Sequence, residues 1–401
     1  MSRRRVLIRH EILRIAPFLG VGIFLAIWIV GKFYGNLRGL DTMWQLSSDN
    51  YSRTGFDVWG TPFTMWLSQY LKAAVSFCCL GFGLMALVQF NDVQVSKKAQ
   101  YLNCLPYSQN EKFMIKSCVG FGVISLCTLG VSACVIALRI SYASVLYKIN
   151  VRYSIYRQLM GAETMWHTIR MLLMFWMTLL VIYSIYMAMA YLIRRPLLSF
   201  VTGFCAILWP GYLLDVFRIV VGEHQYSTRI ARYVDLFDGT TLGYEWPGWG
   251  EYGYAFYPTS GRLFFDTSYH VKTNSQKLDQ LVTMSYGKVW LAFLVLFLVF
   301  AGCILLAWYT NKNRDLANGK PIIPSLIGRI GFRMGVCTAL SAGLIEVYST
   351  ARPELYYLYY GLGKEMIFVW VILSAVLYII WYAIGRLIQK MRRKNRKESV
   401  V

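Results

Sequence analysis

Ser117–Ile140 is an apolar run in which Arg139 is the one charged residue. About 20 such residues, at 1.5 Å rise each, cross a ~30 Å hydrocarbon core. Similar runs recur along the chain. In lipid each must satisfy its backbone groups internally, so each reads as a helix. Of the 401 residues 57% are hydrophobic and 15% charged, and the mean hydropathy is +0.44. A soluble domain could not hide that much apolar surface, so the sequence specifies an all-α polytopic membrane protein. In a soluble protein a formal net charge of +21 would suggest nucleic acid. Here the basic residues fall mainly in short segments between apolar runs, where they set orientation. No nucleic-acid partner is expected.

Residues 1–14 place Arg3, Arg4, Arg5, Arg9 and Arg14 among Val6, Leu7, Ile8, Ile12 and Leu13. At helical spacing this is an amphipathic segment able to lie in the membrane interface, with a plain positive-inside anchor as the alternative. The first apolar run lacks a small-residue cleavage site near its end and reads as a retained span. Spans 1 and 2 (Ile15–Tyr34, Met65–Phe90) occupy 15–90, with an outer loop at Asn36–Thr64. Residues 91–116 return to the starting side. Spans 3 to 5 fill 117–221 as Ser117–Ile140, Thr168–Ile193 and Leu197–Val221, and Trp209-Pro210-Gly211 predicts a kink in the last. Ser141–His167 is an outer loop. Residues 222–287 hold more acidic than basic side chains and many Gly, Tyr and Trp, and read as a large extracellular insert between spans five and six. Residues 288–385 carry spans 6 to 8, around a basic inner loop at 309–333. The short run Gly335–Thr350, starting nearer Leu326, supplies the seventh. The tail 386–401 contains Arg386, Lys390, Arg392, Arg393, Lys394, Arg396 and Lys397, which belong inside. With both termini cytosolic the number of spans is even, about eight.

Sites for chemistry are sparse. Asn318-Gly319-Lys320-Pro321 lacks both the leading glycine and the hydroxyl residue of a phosphate loop. His10, His167, His224 and His270 are not spaced as metal ligands on one helix. No enzyme activity, metal or cofactor is expected on this chain. Cys78, Cys79, Cys118, Cys127, Cys134, Cys205, Cys303 and Cys337 lie in apolar runs and Cys104 in the 91–116 loop, so the cysteines read as small buried hydrophobes without disulfides. The candidate ionisable residues near mid-membrane are Asp215 and Arg218, three apart on one helix face and able to pair, and Glu346.

The segment Asn91–Lys116 carries Lys97, Lys98, Lys112 and Lys116 and is expected in water on one membrane face. Ala99–Cys104 can be helical, and Leu105-Pro106 disfavours continuing that helix. Ser108 can cap a new helix, with Glu111 completing a capping box. The run from Ala99 to Lys116 resembles the cytosolic loop of bacterial ABC export permeases of the type-2 class. That loop has a leucine-proline break followed by a helix leading to lysine and the third span. Ala307–Gly319 resembles the exit from the sixth span in an eight-span branch common in Gram-positive bacteria, although Asp315 stands where glutamate is more usual there.

The resemblance implies a permease in the bacterial plasma membrane, as a homodimer or paired with a related chain, embedded in membrane lipid and driven by two ABC ATP-binding subunits that hold ATP and Mg. It makes Tyr101, Leu102, Leu105, Pro106, Tyr107 and Phe113 the coupling residues, and 1–14 a connecting helix onto the same subunit. It implies export of a drug, antimicrobial peptide or lipid-like substrate. An ordinary tight inner loop is the plain alternative for 91–116. A non-transporting sensor or immunity protein would instead bind an antimicrobial peptide through Glu223–Gly287, and an ion-coupled carrier would need Asp215 and Glu346.

Overall fold

A computed structural model of the chain describes residues 3–46, 63–94, 107–144, 165–221, 286–312, 326–351 and 363–398. Side chains near several helix ends, including those of Asp215, Arg218 and Glu346, lie outside that description. Among the described residues all regular structure is helical: α1 Arg3–Ile15, a 3-10 turn at Ala16–Phe18, α2 Leu19–Leu46, α3 Phe63–Gln94, α4 Gln109–Ser141, α5 Met165–Leu192, α6 Pro196–Val221, α7 Tyr286–Lys312, α8 Leu326–Ala351 and α9 Gly363–Glu398.

Among the described residues, six stretches are long and apolar enough to cross a membrane: Arg5–Gly35, Ala73–Gln94, Gln109–Ser141, Thr168–Leu192, Phe293–Lys312 and Phe368–Leu387. They make the chain a membrane-embedded protein. Helices α6 and α8, of 26 residues each, correspond to the expected fifth and seventh spans. Each is about 39 Å long at 1.5 Å per residue.

Several helices outrun their apolar runs. Helix α2 continues to Leu46, into the expected outer loop, and α9 continues through the basic tail to Glu398. The tail has no proline, and Lys, Arg, Gln, Met and Glu are good helix formers, so nothing there stops the helix. The helix of α6 also runs unbroken through Trp209-Pro210-Gly211.

The chain divides into two compact units, 1–208 with 235–322 and 209–234 with 323–401. In the first, α5 is the central helix. It packs on α3, α4 and α7, while α2 lies on α4, and α1 on α4 and α3. The α5 stretch Thr168–Leu192 is 83% buried, as its all-round apolar sequence predicts. Tyrosines on α5 are received by glycines. A Cβ at Gly120 would collide with the Tyr183 ring and hydroxyl, and one at Gly83 would lie 2.6 Å from Tyr186 Cζ. Tyr186 stacks on Phe200 at 5.7 Å. Small residues at such points let helix backbones approach closely.

In the second unit α8 packs on α9. The Ser341 and Ser374 hydroxyls lie 2.6 Å apart, and Trp370 Nε1 donates to the Thr338 carbonyl at 3.2 Å. The cysteines divide in a way the sequence reading missed. Cys78, Cys79, Cys127 and Cys337 are buried, but Cys118 and Cys205 face outward, because apolar surroundings along a span do not fix which side of the helix a residue occupies.

Candidate functional site

The most polar buried region lies where α1, the end of α3 and the start of α4 meet. On α1, Leu7, Glu11 and Ile15 fall at i, i+4 and i+8, hence on one face, and all three are buried. Glu11 is 1% exposed. The last turns of α3 supply Gln89, Asp92 and Gln94, and an early turn of α4 supplies Lys116, 2% exposed.

Lys116 Nζ donates to Glu11 Oε1 at 2.9 Å, to Asp92 Oδ2 at 2.8 Å and to the Gln89 carbonyl at 3.0 Å. An ammonium has three donors, and all three are used. Arg14 donates to the same Asp92 oxygen at 2.9 Å and to the Val88 carbonyl. Two acids therefore face two bases, and a buried lysine that would be costly alone is compensated. Gln89 closes the group: its Nε2 donates to the Lys116 carbonyl at 2.8 Å, and its Oε1 accepts from the Tyr183 hydroxyl on α5. Among the described residues, Glu11 Oε2 and Asp92 Oδ1 have no hydrogen-bond partner.

A second tie lies one step along the chain. Gln94 Nε2 is 3.2 Å from the Ala190 and Ile193 carbonyls and 2.6 Å from Ser199 Oγ. It thereby serves carbonyls that the end of α5 leaves without helical partners, and fastens α3 to the Arg194-Arg195-Pro196 turn into α6. On the other side of the loop, Ser108 and Glu111 form the expected capping box, with Glu111 N to Ser108 Oγ at 3.1 Å and Ser108 N to Glu111 Oε2 at 3.2 Å. The end of α7 reaches the same place, with Asn311 Nδ2 3.5 Å from the Gln109 carbonyl.

Tyr101, Leu102, Leu105 and Pro106 lie outside the described residues. Tyr107 is half-buried at the root of α4. Phe113 is buried, its ring edge-on to Tyr191 at 5.3 Å, so it sits within the helix packing. Asp215 and Arg218 are on helical backbone in α6 and Glu346 in α8; the side chains of all three fall outside the description.

One sequence expectation is corrected. Residues 91–116 were assigned to water as a block, yet Lys112 and Lys116 are buried. The reason at Lys116 is the pair of carboxylates it meets. Sequence reasoning missed Glu11, Gln89, Asp92 and Gln94 altogether, and read Arg14 only as part of the amphipathic segment. A faint signal existed in Glu11, the one acid of α1, set at helical spacing between Leu7 and Ile15.

The arrangement holds no group of three His, Cys, Asp or Glu side chains able to take a metal among the described residues. Its chemistry is mechanical: directional, buried contacts tie both ends of the 95–106 segment to several helices. No protein-family model, curated protein or solved structure matches the chain.

Proposed function

We propose that the chain is the transmembrane permease subunit of an ATP-driven ABC exporter, powered by separate ATP-binding subunits. In this reading it has eight spans, with both termini cytosolic and 222–287 outside, and moves a drug, antimicrobial peptide or lipid-like substrate out through the bacterial plasma membrane. The observation that carries the reading is the double fastening of the 95–106 segment. Its leading root is held by Gln94 on the α5–α6 turn and by Asp92 on α1, and its trailing root by Lys116 on Glu11. A loop so rooted cannot be pushed without moving several spanning helices. That is what a receiver of force from a soluble partner needs. The resemblance of Ala99–Lys116 to the coupling loop of type-2 permeases points the same way.

The test is affinity purification from the native host in mild detergent, with identification of bound proteins. An ATP-binding-cassette protein should co-purify with the chain, and be lost when residues 99–107 are replaced by a glycine-serine linker that leaves the Ser108 cap and Lys116 in place. Recovery of no ATPase would overturn the reading and turn attention to Asp215 and Glu346 as an ion path, or to the 222–287 insert as a peptide sensor. Within the complex, Pro106→Ala should let the helix expected at Ala99–Cys104 continue and leave ATP hydrolysis running without transport. Coupling equal to the parent protein would count against the loop's role.

A further inference from the structure

Helix α1 turns one face to the body of the protein and leaves the other bare. Glu11, its one acid, is turned inward onto Lys116, with His10 Nδ1 3.9 Å from the same carboxylate oxygen, so the outward face keeps the exposed Arg5 and Arg9 with no acid of α1 on it. Arg5 and Arg9 are one turn apart and form its centre line. Apolar side chains flank them on both sides, with Val6 56% and Leu13 65% exposed along one edge and Ile8 37% and Ile12 45% exposed along the other. A face meant for water would not carry four bare aliphatic side chains. One meant for a purely apolar neighbour would not centre on two arginines.

The place of α1 in the fold adds a second argument. Arg14 and Glu11 are bonded to residues at the ends of the spanning helices α3 and α4, so α1 lies at the level where those helices leave the hydrocarbon. The 3-10 turn at Ala16–Phe18, with Pro17 in its first turn, then leads into α2. A helix at the ends of spanning helices is expected at the boundary between lipid headgroups and acyl chains.

We propose that the outward face of α1 is a binding surface for anionic phospholipid, with Arg5 and Arg9 on the headgroup phosphates and Val6, Leu13, Ile8 and Ile12 entering the acyl boundary on either side. The chemistry is that of interfacial amphipathic helices, in which buried apolar area and attraction to anionic lipid act together. The ion pair of Glu11 with Lys116 sets the rotation of the helix and thereby directs both arginines outward. The inference does not depend on the chain being a transporter.

The experiment uses the full chain in nanodiscs of equal parts phosphatidylcholine and phosphatidylglycerol, with a photo-crosslinking phenylalanine analogue at position 6 or 13. Intact-mass analysis identifies what each position touches. Both positions should give lipid adducts enriched in phosphatidylglycerol. The preference should fall about 5-fold in Arg5→Gln or Arg9→Gln and about 30-fold in the double variant, following the usual contribution of one basic residue near an anionic surface. The Arg5→Lys/Arg9→Lys variant keeps the charge and should keep the preference, which separates lipid binding from a change in folding. Adducts that show no headgroup preference would overturn the proposal. So would adducts to a second copy of the chain, or to a soluble subunit added to the discs, which would assign the face to that protein.

Discussion

Helix α4 meets its neighbours in two different ways only one turn apart, α1 and α3 at Lys116 and α5 at Gly120. At Lys116 the contact is made by charges and amides: the lysine, Glu11, Asp92 and Gln89, with Tyr183 at its edge. At Gly120 it is made by shape alone, a tyrosine ring seated where any larger residue would stand. The polar group is directional, and among the described residues it has acceptors to spare, since Glu11 Oε2 and Asp92 Oδ1 have no hydrogen-bond partner. The glycine-tyrosine fit has one solution, because packed interiors do not deform continuously. The first kind of contact suits a joint and the second a fulcrum.

Substitutions can break this distinction or sharpen it. The largest effect should come from Lys116→Met, which leaves Glu11 buried without its cation. Breaking a buried pair in this way costs about 3–5 kcal/mol, and thermal unfolding in detergent should show it. Glu11→Gln combined with Lys116→Met should cost clearly less than the sum of the two single changes. Additivity within about 0.5 kcal/mol would mean the pair is not coupled, and the joint would lose its centre.

Next comes Gly120→Ala, for which overpacking predicts a loss of about 1–3 kcal/mol. Because the Tyr183 hydroxyl is the nearest obstacle, the effect should be smaller on a Tyr183→Phe background. Equal losses on both backgrounds would show that the ring, not the hydroxyl, sets the fit. Tyr183→Phe alone removes a hydrogen bond and leaves Gln89 Oε1 without its donor, at a cost of about 1–2 kcal/mol. It touches both regions, so it should lower stability and also weaken the hold on the loop root. Partner recovery in the pull-down experiment reads the second effect. The smallest change should be Ser108→Ala, about 1 kcal/mol from loss of the cap, seen as faster amide exchange in the first turn of α4 alone. Loss spread over the whole helix would show that the cap supports more than its own turn.

The helical, membrane-embedded character could be read from the apolar runs, and the start of α4 could be read from Ser108 and Glu111, because a capping box is written within four residues. The ion pairs could not. Lys116 is 105 residues from Glu11 and 24 from Asp92, and no local spacing rule joins positions so far apart. A lysine beside an apolar run reads as the edge of a loop until its acids are known. The length of α9 was hidden for the opposite reason. Its charged end looked like a free tail in a reading based on hydropathy, while backbone propensity carried the helix on to Glu398. Cys118 and Cys205 show a third limit. Hydropathy tells that a residue is in a span but not which way it faces.

The node at Lys116 also has a consequence for how the protein is made. Chains are synthesised from the amino terminus, so Glu11, Arg14 and Asp92 all emerge from the ribosome ahead of Lys116. When α4 is released into the bilayer, both counter-charges are already at the membrane surface to meet its lysine. A version with the acids downstream of the lysine would have to insert an uncompensated cation first. The order of these residues along the chain thus sets an order of assembly, in which α1 and α3 form the socket and α4 is the part that docks.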